Sequence, residues 1–181
     1  MAPLMVLNTE KLPAVAALTD VTVFLLDPDS SDFAELSAVS TAAANVGFGA
    51  GGTHIGHAGP AERDAAVAVR EPTLVDALAA SLRSGRTTEA VAITPSEGIV
   101  ARGVTQRGAG AVEVAGVATL PSARRRGLGA AVSALLARHA LDNGADLVFL
   151  TAASEEVARI YGRVGFERVG TACIAEVDSD L

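Results

Sequence analysis

The sequence has no tryptophan, one tyrosine, one cysteine and, at Lys11, one lysine. A lone cysteine, Cys173, closes no intrachain disulfide and gives no Cys/His metal framework, which fits a reducing cytoplasm and no bound metal. A Walker phosphate loop needs Gly-Lys-Ser/Thr, and the only lysine stands elsewhere. No apolar run approaches the roughly 18 residues of a membrane span, and no basic segment leads into an apolar one at the start. The expectation is a soluble, cytoplasmic chain that does not engage a membrane. Positive charge is also short: 14 Lys and Arg face 21 Asp and Glu, a formal net charge of −7, which excludes general affinity for nucleic acid.

Aromatic residues make up only 3% of the chain, so a core must be built from Val, Leu, Ile and Ala. At 181 residues there is length for one domain with a sizeable core. Before Arg63 the only basic side chain is Lys11, set among Glu10, Asp20, Asp27, Asp29, Asp32, Glu35 and Glu62. That acidic third would draw a cationic amine.

Punctuation by turn formers divides the chain. TDVTVFLL, residues 19–26, reads as a strand, and residues 32–45 carry Phe33, Leu36, Val39 and Ala43 at helical spacing. The following GFGAGGTHIGHAGP is too rich in glycine for regular structure and reads as a long mobile loop or a pocket lid. Residues 61–70 and 73–84 read as helices parted at Pro72. After Arg86, three strand-like runs (TEAVAITP, EGIVARGVTQ and GAVEVAGVATLP) suit an antiparallel meander. A helix through His139, the apolar strand DLVFLTAA, the helix SEEVARIYGRVG and a final strand FERVGTACIAEV follow. The order gives a mixed α/β sheet whose strong crossover runs from Val112 to Leu150.

SARRRGLGAAV, residues 122–132, places three arginines and a Gly-x-Gly step between a strand and a helix. A helix start offers unpaired N–H groups to an anion, glycines allow close approach, and arginines add charge-assisted hydrogen bonds. These parts suit a pyrophosphate. A dinucleotide fingerprint is absent, because position 132 is valine where its third glycine belongs.

Arg124-x-x-Gly127-x-Gly129 resembles the acyl-CoA signature of the GNAT (GCN5-related) N-acetyltransferase family. VATLP before it and VARIYGRVGF after it resemble that family's fourth strand and its tyrosine-bearing helix. The resemblance runs from about Thr88 to Glu176. It implies an α/β (α+β mixed) fold: a mostly antiparallel mixed sheet with splayed central parallel strands and flanking helices. It also implies a single domain over residues 1–181, in which 1–86 form a variable acceptor side and 87–181 bind acetyl-CoA as cosubstrate. Val117, Ala118 and Thr119 would face pantetheine. Arg124, Arg125, Arg126, Gly127, Leu128, Gly129 and Ala130 would wrap the pyrophosphate, and Ser154 would touch the cofactor arm where the family often has asparagine. Gly116 suits a bulge that parts the strands.

Acetyl transfer to an amine needs a base, an acid for the leaving thiolate and a donor for the carbonyl oxygen. The resemblance gives the acid to Tyr161, although Val157, Ile160, Tyr161 and Val164 also make an ordinary core stripe. Glu113 is the candidate base. Alternation places it on one face with Val117 and Thr119 unless a bulge at Gly116 breaks the phase; the plain alternative is a solvent-facing or salt-bridged glutamate. Serine at 154 is equally explained as a helix N-cap. Cys173 reads as a small buried hydrophobe, His139 as a core or cap residue, and His54 with His57 lack a third metal ligand. The function implied is N-acetylation of a small-molecule or peptide amine, and the alternative is an acyl-CoA sensor without catalysis. An exposed sheet edge leaves room for a homodimer.

Overall fold

A computed structural model of the chain describes residues 1–14, 18–68 and 71–173. Seven strands form one sheet: β1 (Ala2–Leu7), β2 (Thr22–Leu25), β3 (Thr87–Thr94), β4 (Gly98–Gly108), β5 (Ala111–Thr119), β6 (Leu147–Thr151) and β7 (Phe166–Ala172). Five helices join them: α1 (Phe33–Gly49), α2 (Pro60–Ala65), α3 (Pro72–Arg83), α4 (Leu128–Asp142) and α5 (Glu155–Gly162). The strand order is β2-β3-β4-β5-β6-β1-β7. Every neighbouring pair is antiparallel except β5 with β6, the two strands linked through α4. The mixed α/β architecture read from the sequence is therefore present.

The meander β3-β4-β5 forms because tight turns separate runs that are rich in Val, Ile and Thr. Its inner positions, among them Ala90, Val91, Val100 and Ala101, are fully buried. Helix α4 lies across one face of the sheet and buries Val132, Leu136 and Ala137 completely. Truncating Leu136 there would cost about 2–5 kcal/mol. Helix α1 covers the other face of β4 and β5. It is held by Ser40, whose Oγ donates to Glu89 Oε1 at 2.5 Å. Glu89 is 2% exposed and its partner is Arg102. The Arg102 Nε lies 3.1 Å from Glu89 Oε1 without aiming its N–H at it, so charge more than a directed hydrogen bond offsets the buried carboxylate.

Several boundaries differ from the sequence reading. β1 lies in a segment that shows little strand signal, because Pro3 removes a ladder donor. The sheet tolerates it at the start of the strand, where Pro3 contributes its carbonyl to Ala152 N–H at 2.9 Å. Helix α1 runs on through Gly49 into the glycine-rich stretch, α2 ends at Ala65, and Pro72 opens α3 instead of parting two helices. The end of the expected helix at residue 70 and the expected final strand beyond Cys173 lie outside the described residues.

Candidate active site

β5 and β6 pair only at Ala111–Leu147, Val112–Val148 and Glu113–Phe149. Beyond that point β5 continues to Thr119 and β6 to Thr151 without pairing, so a wedge opens between them. The expected bulge is present. Gly116 has φ +58°, and the β4 register shifts between Arg102 and Val104 opposite it. Leu120 N–H turns to Val100 C=O at 2.9 Å, so the pleat directs the Thr119 N–H and C=O into the wedge. On α1, a Cβ at Gly47 would lie 3.1 Å from the Thr119 oxygen and 3.4 Å from its nitrogen. Glycine at 47 keeps that backbone clear.

Past β5 the chain makes a 3-10 turn at Pro121–Ala123 and enters α4 through two left-handed residues, Arg125 at φ 68° and Gly127 at φ 78°. No side chain caps α4. Its first backbone bond runs from Ala131 N–H to Gly127 C=O, which leaves the amides of Leu128, Gly129 and Ala130 without partners among the described residues. Three adjacent unpaired amides at a positive helix end make an anion cradle.

The three arginines have different tasks. Arg124 donates to the carbonyls of Gly47 at 2.7 Å, Gly51 at 2.7 Å and His54 at 3.2 Å. Arg126 pairs with Glu97 at 2.8 Å on the β3-β4 turn. That turn is itself plugged by Arg63, which donates to the Glu97 and Ile99 carbonyls. Arg125 is exposed and has no side-chain partner among the described residues, so it alone of the three offers a free guanidinium beside the cradle.

The glycine-rich stretch expected to be a mobile loop is stitched to this turn. Gly56 N–H bonds to Pro121 C=O, and Ser122 N–H bonds to Ala58 C=O, both at 3.0 Å. A Cβ at Gly59 would lie 2.6 Å from Ser122 Oγ, which explains the glycine there. Thr53 donates to a Glu156 carboxylate oxygen on α5. The stretch thus straps the exit of β5 to the start of α5, across the wedge.

The bulge also decides the faces. Val117 and Thr119 turn toward α4, near Gly129. Glu113 pairs across with Gln106 and Phe149 and lies on the opposite face, the side of α1, so the phase that would group it with Val117 and Thr119 is broken. Its carboxylate has no hydrogen-bond or ion-pair partner among the described residues. Tyr161, on α5, sits on the α4 side with its ring edge-on to Phe166, at 6.1 Å between centroids. Part of the residue reaches solvent, but its hydroxyl is desolvated, and burial pushes the phenol up to about 12 against an opposing hydrogen bond with Ser133. Ser133 is 0% exposed and donates to Gly129 C=O at 2.8 Å, which ties the phenol to the first turn of α4.

Ser154 caps α5 by accepting from Val157 N–H at 3.3 Å. Leu128 and Ala118 are buried, so their side chains serve the core; the Leu128 backbone lines the cleft, while the ladder turns that of Ala118 toward Arg102 on β4. Cys173 is exposed, contrary to the expectation of burial, because it follows an edge strand. His54 and His57 are exposed, while His139 is half-buried against Asn143. Among the described residues no cluster of three His, Cys, Asp or Glu could hold a metal, and no helix is long and apolar enough to cross a membrane. Sequence reasoning missed Gly47, Thr53, Ser133 and Glu156. A serine four residues after a helix-opening glycine was the one readable signal among them.

Residues 90–169 match the family described as Acetyltransferase (GNAT) domain. No curated protein matches the sequence. Among solved structures, the GCN5-related N-acetyltransferase from Kribbella flavida is 25% identical with a TM-score of 0.58, over 92% of this chain and 54% of that one. The GCN5-related N-acetyltransferase from Sphaerobacter thermophilus is 17% identical with a TM-score of 0.62, over 93% of this chain and 48% of that one. The chain therefore spans about half the length of these two proteins. Glucosamine-6-phosphate N-acetyltransferase from Arabidopsis thaliana shares the fold at 16% identity and a TM-score of 0.57, over 87% of this chain and 99% of that one. Split strands, an uncapped glycine-led helix and the family match coincide on one stretch: residues 90–169 are similar to the GNAT acetyltransferase domain, and the chain has the fold of the GCN5-related N-acetyltransferases.

Proposed function

We propose that the chain transfers an acetyl group from acetyl-CoA directly to a primary amine. The observation that carries this reading is the wedge between β5 and β6, which leads from the uncapped start of α4 down to Glu113. The donor set fits the cosubstrate. The backbone of Val117 and Thr119, with Ala118 between them, supplies strand-edge donors and acceptors for an amide-bearing arm. The amides of Gly127 to Ala130 and the side chain of Arg125 suit a pyrophosphate, while Arg124 and Arg126 hold the loop in shape. Ser154 stands near the start of α5 as a lesser contact.

When bound, acetyl-CoA supplies a thioester whose carbonyl carbon takes the new N–C bond as its C–S bond breaks. Glu113, unpaired on one face of the sheet, accepts the proton that the amine loses. Tyr161, on the other face, delivers a proton to the departing sulfur. Base and acid therefore flank the wedge from opposite sides, and the bulge at Gly116 produces this division. At about 12 the phenol stays fully protonated at neutral pH, yet it is a weak acid toward a thiol of ordinary pKa near 8.5. Ser133 answers this mismatch: its hydroxyl can turn from Gly129 C=O to the phenolate oxygen as the proton leaves. Small-molecule amines head the acceptor search, in keeping with the named substrate of the Arabidopsis relative in fold.

Thiol release with acetyl-CoA and an amine panel tests the reading. Turnover with at least one amine is expected, with Glu113→Gln and Tyr161→Phe lowering kcat while leaving the thermal shift caused by acetyl-CoA intact. A protein that acetyl-CoA stabilises but that acetylates no amine would instead be a sensor without catalysis.

A further inference from the structure

Among the described residues, one half of the sheet has a face without a helix over it. In β1 and β6 burial alternates: Met5, Leu7, Val148 and Leu150 are buried, whereas Leu4, Val6 and Phe149 are half-exposed and Leu147 is 41% exposed. None of these four outward residues joins the hydrophobic core cluster. Register places Glu113, Phe149 and Val6 side by side on adjacent strands, with Gln106 beyond Glu113. Helix α1 stops over β4 and β5 and leaves this row open. A shallow cavity of about 300 Å³ lies at its end, lined by Gln106, Arg107, Ala111, Glu113 and Phe149 among others, with the Arg107 guanidinium donating to the Ala140 and Asn143 carbonyls at the end of α4.

The row is chemically specific. It presents one carboxylate, unpaired among the described residues, at the edge of an apolar strip, and it begins where β5 and β6 part. A polycation would find a single anion there, and the neighbouring Glu167 is already bound to Lys11 at 2.6 Å. A sugar phosphate would find no free cation in the row among the described residues, since the neighbouring Arg107 is bonded to the Ala140 and Asn143 carbonyls. We infer that this open half-face seats the acceptor, and that the acceptor is a primary amine on an apolar body, its nitrogen at Glu113 and its body across Phe149, Val6 and Leu4. The inference rests on the acetyl-transfer reading and names the substrate class for that site. Asp27, Asp29 and Asp32 of the N-terminal third do not contribute, since they lie beside β2 at the far edge of the sheet.

The test compares phenethylamine and hexylamine with spermidine and glucosamine 6-phosphate, by thiol release from acetyl-CoA. The apolar amines should show kcat/KM at least about tenfold higher, the scale that apolar contacts of one or two methylenes produce. Phe149→Ser should lower kcat/KM for phenethylamine about tenfold or more through KM, with the thermal shift given by acetyl-CoA unchanged. Val6→Thr, a milder change at a half-exposed position, should do the same to a smaller degree if Phe149→Ser fails to fold. Acetylation confined to spermidine or glucosamine 6-phosphate overturns this inference and leaves the parent reading standing. A dimer that Phe149→Ser dissociates, with equal turnover of all four amines, assigns the face to a second copy and also overturns it. Absence of both turnover and any acetyl-CoA shift overturns the parent reading and this inference together.

Discussion

Replacing Arg124 by Met separates a residue that shapes the loop from one that grips a ligand. The guanidinium makes two short bonds, to Gly47 and Gly51, and a longer one to His54, all to backbone carbonyls. A hydrogen bond from a charged donor contributes about 1.5–3 kcal/mol net, and the carbonyls near the surface can recover part of that from water. The loss is therefore roughly 2–4 kcal/mol. At about 2–4 °C per kcal/mol for a chain of this size, the midpoint should fall by roughly 4–16 °C. Differential scanning calorimetry of the free protein measures this, and repeating the scan with saturating acetyl-CoA should give a shift close to that of the wild type. Lysine at 124 should not rescue, because a point charge cannot fork to three separate carbonyls. Arg125→Met is the reciprocal change: a stability equal to the wild type within about 0.5 kcal/mol, with acetyl-CoA affinity about ten- to a hundredfold weaker. A wild-type midpoint for Arg124→Met together with lost acetyl-CoA binding would refute the assignment of tasks.

Other substitutions test the wedge and the acid. Gly47→Val should raise the acetyl-CoA KM about tenfold or more with the far-UV circular dichroism unchanged, because the new side chain would reach the Thr119 backbone. The Tyr161 phenol is raised from 10.0 to about 12 by burial, so below pH 10 the folded and unfolded states hold its proton equally. As pH rises from 10 to 12 only the unfolded state ionises, and stability falls by up to about 3 kcal/mol. Urea titrations across that range should show this loss in the wild type and lack it in Tyr161→Phe. Ser133→Ala should lower kcat about tenfold in the wild type and have no further effect on Tyr161→Phe, as measured in a double-mutant cycle with acetyl-CoA.

The second half of the fold was legible because its strands are divided by turn chemistry and its helices by periodic apolar residues. The anion cradle was legible for the same reason: Gly127 and Gly129 are residue types that the geometry requires. The arginines were only partly legible, since three adjacent identical side chains give no sign of which one turns back to carbonyls. The glycine-rich stretch reads as mobile because backbone-to-backbone bonds such as Gly56 to Pro121 leave no residue-type signature. Glu113 could be placed on its strand but not on a face, since one extra residue at Gly116 inverts every side chain beyond it. β1 escaped notice through Pro3, and Ser133 through its ordinary place on a helix.

The position of β1 bears on how the molecule is made. The strands from β3 to β5 can zip from near neighbours, but Ala2 lies opposite Ala172, and among the described residues β7 joins the sheet only through β1. Contacts so far apart along the chain form slowly. The anion cradle can therefore be complete while Phe166, the ring against which Tyr161 rests, still lacks its place in the sheet. During refolding, competence to hold a cosubstrate should precede competence to turn it over, with a lag set by the closing of one short strand.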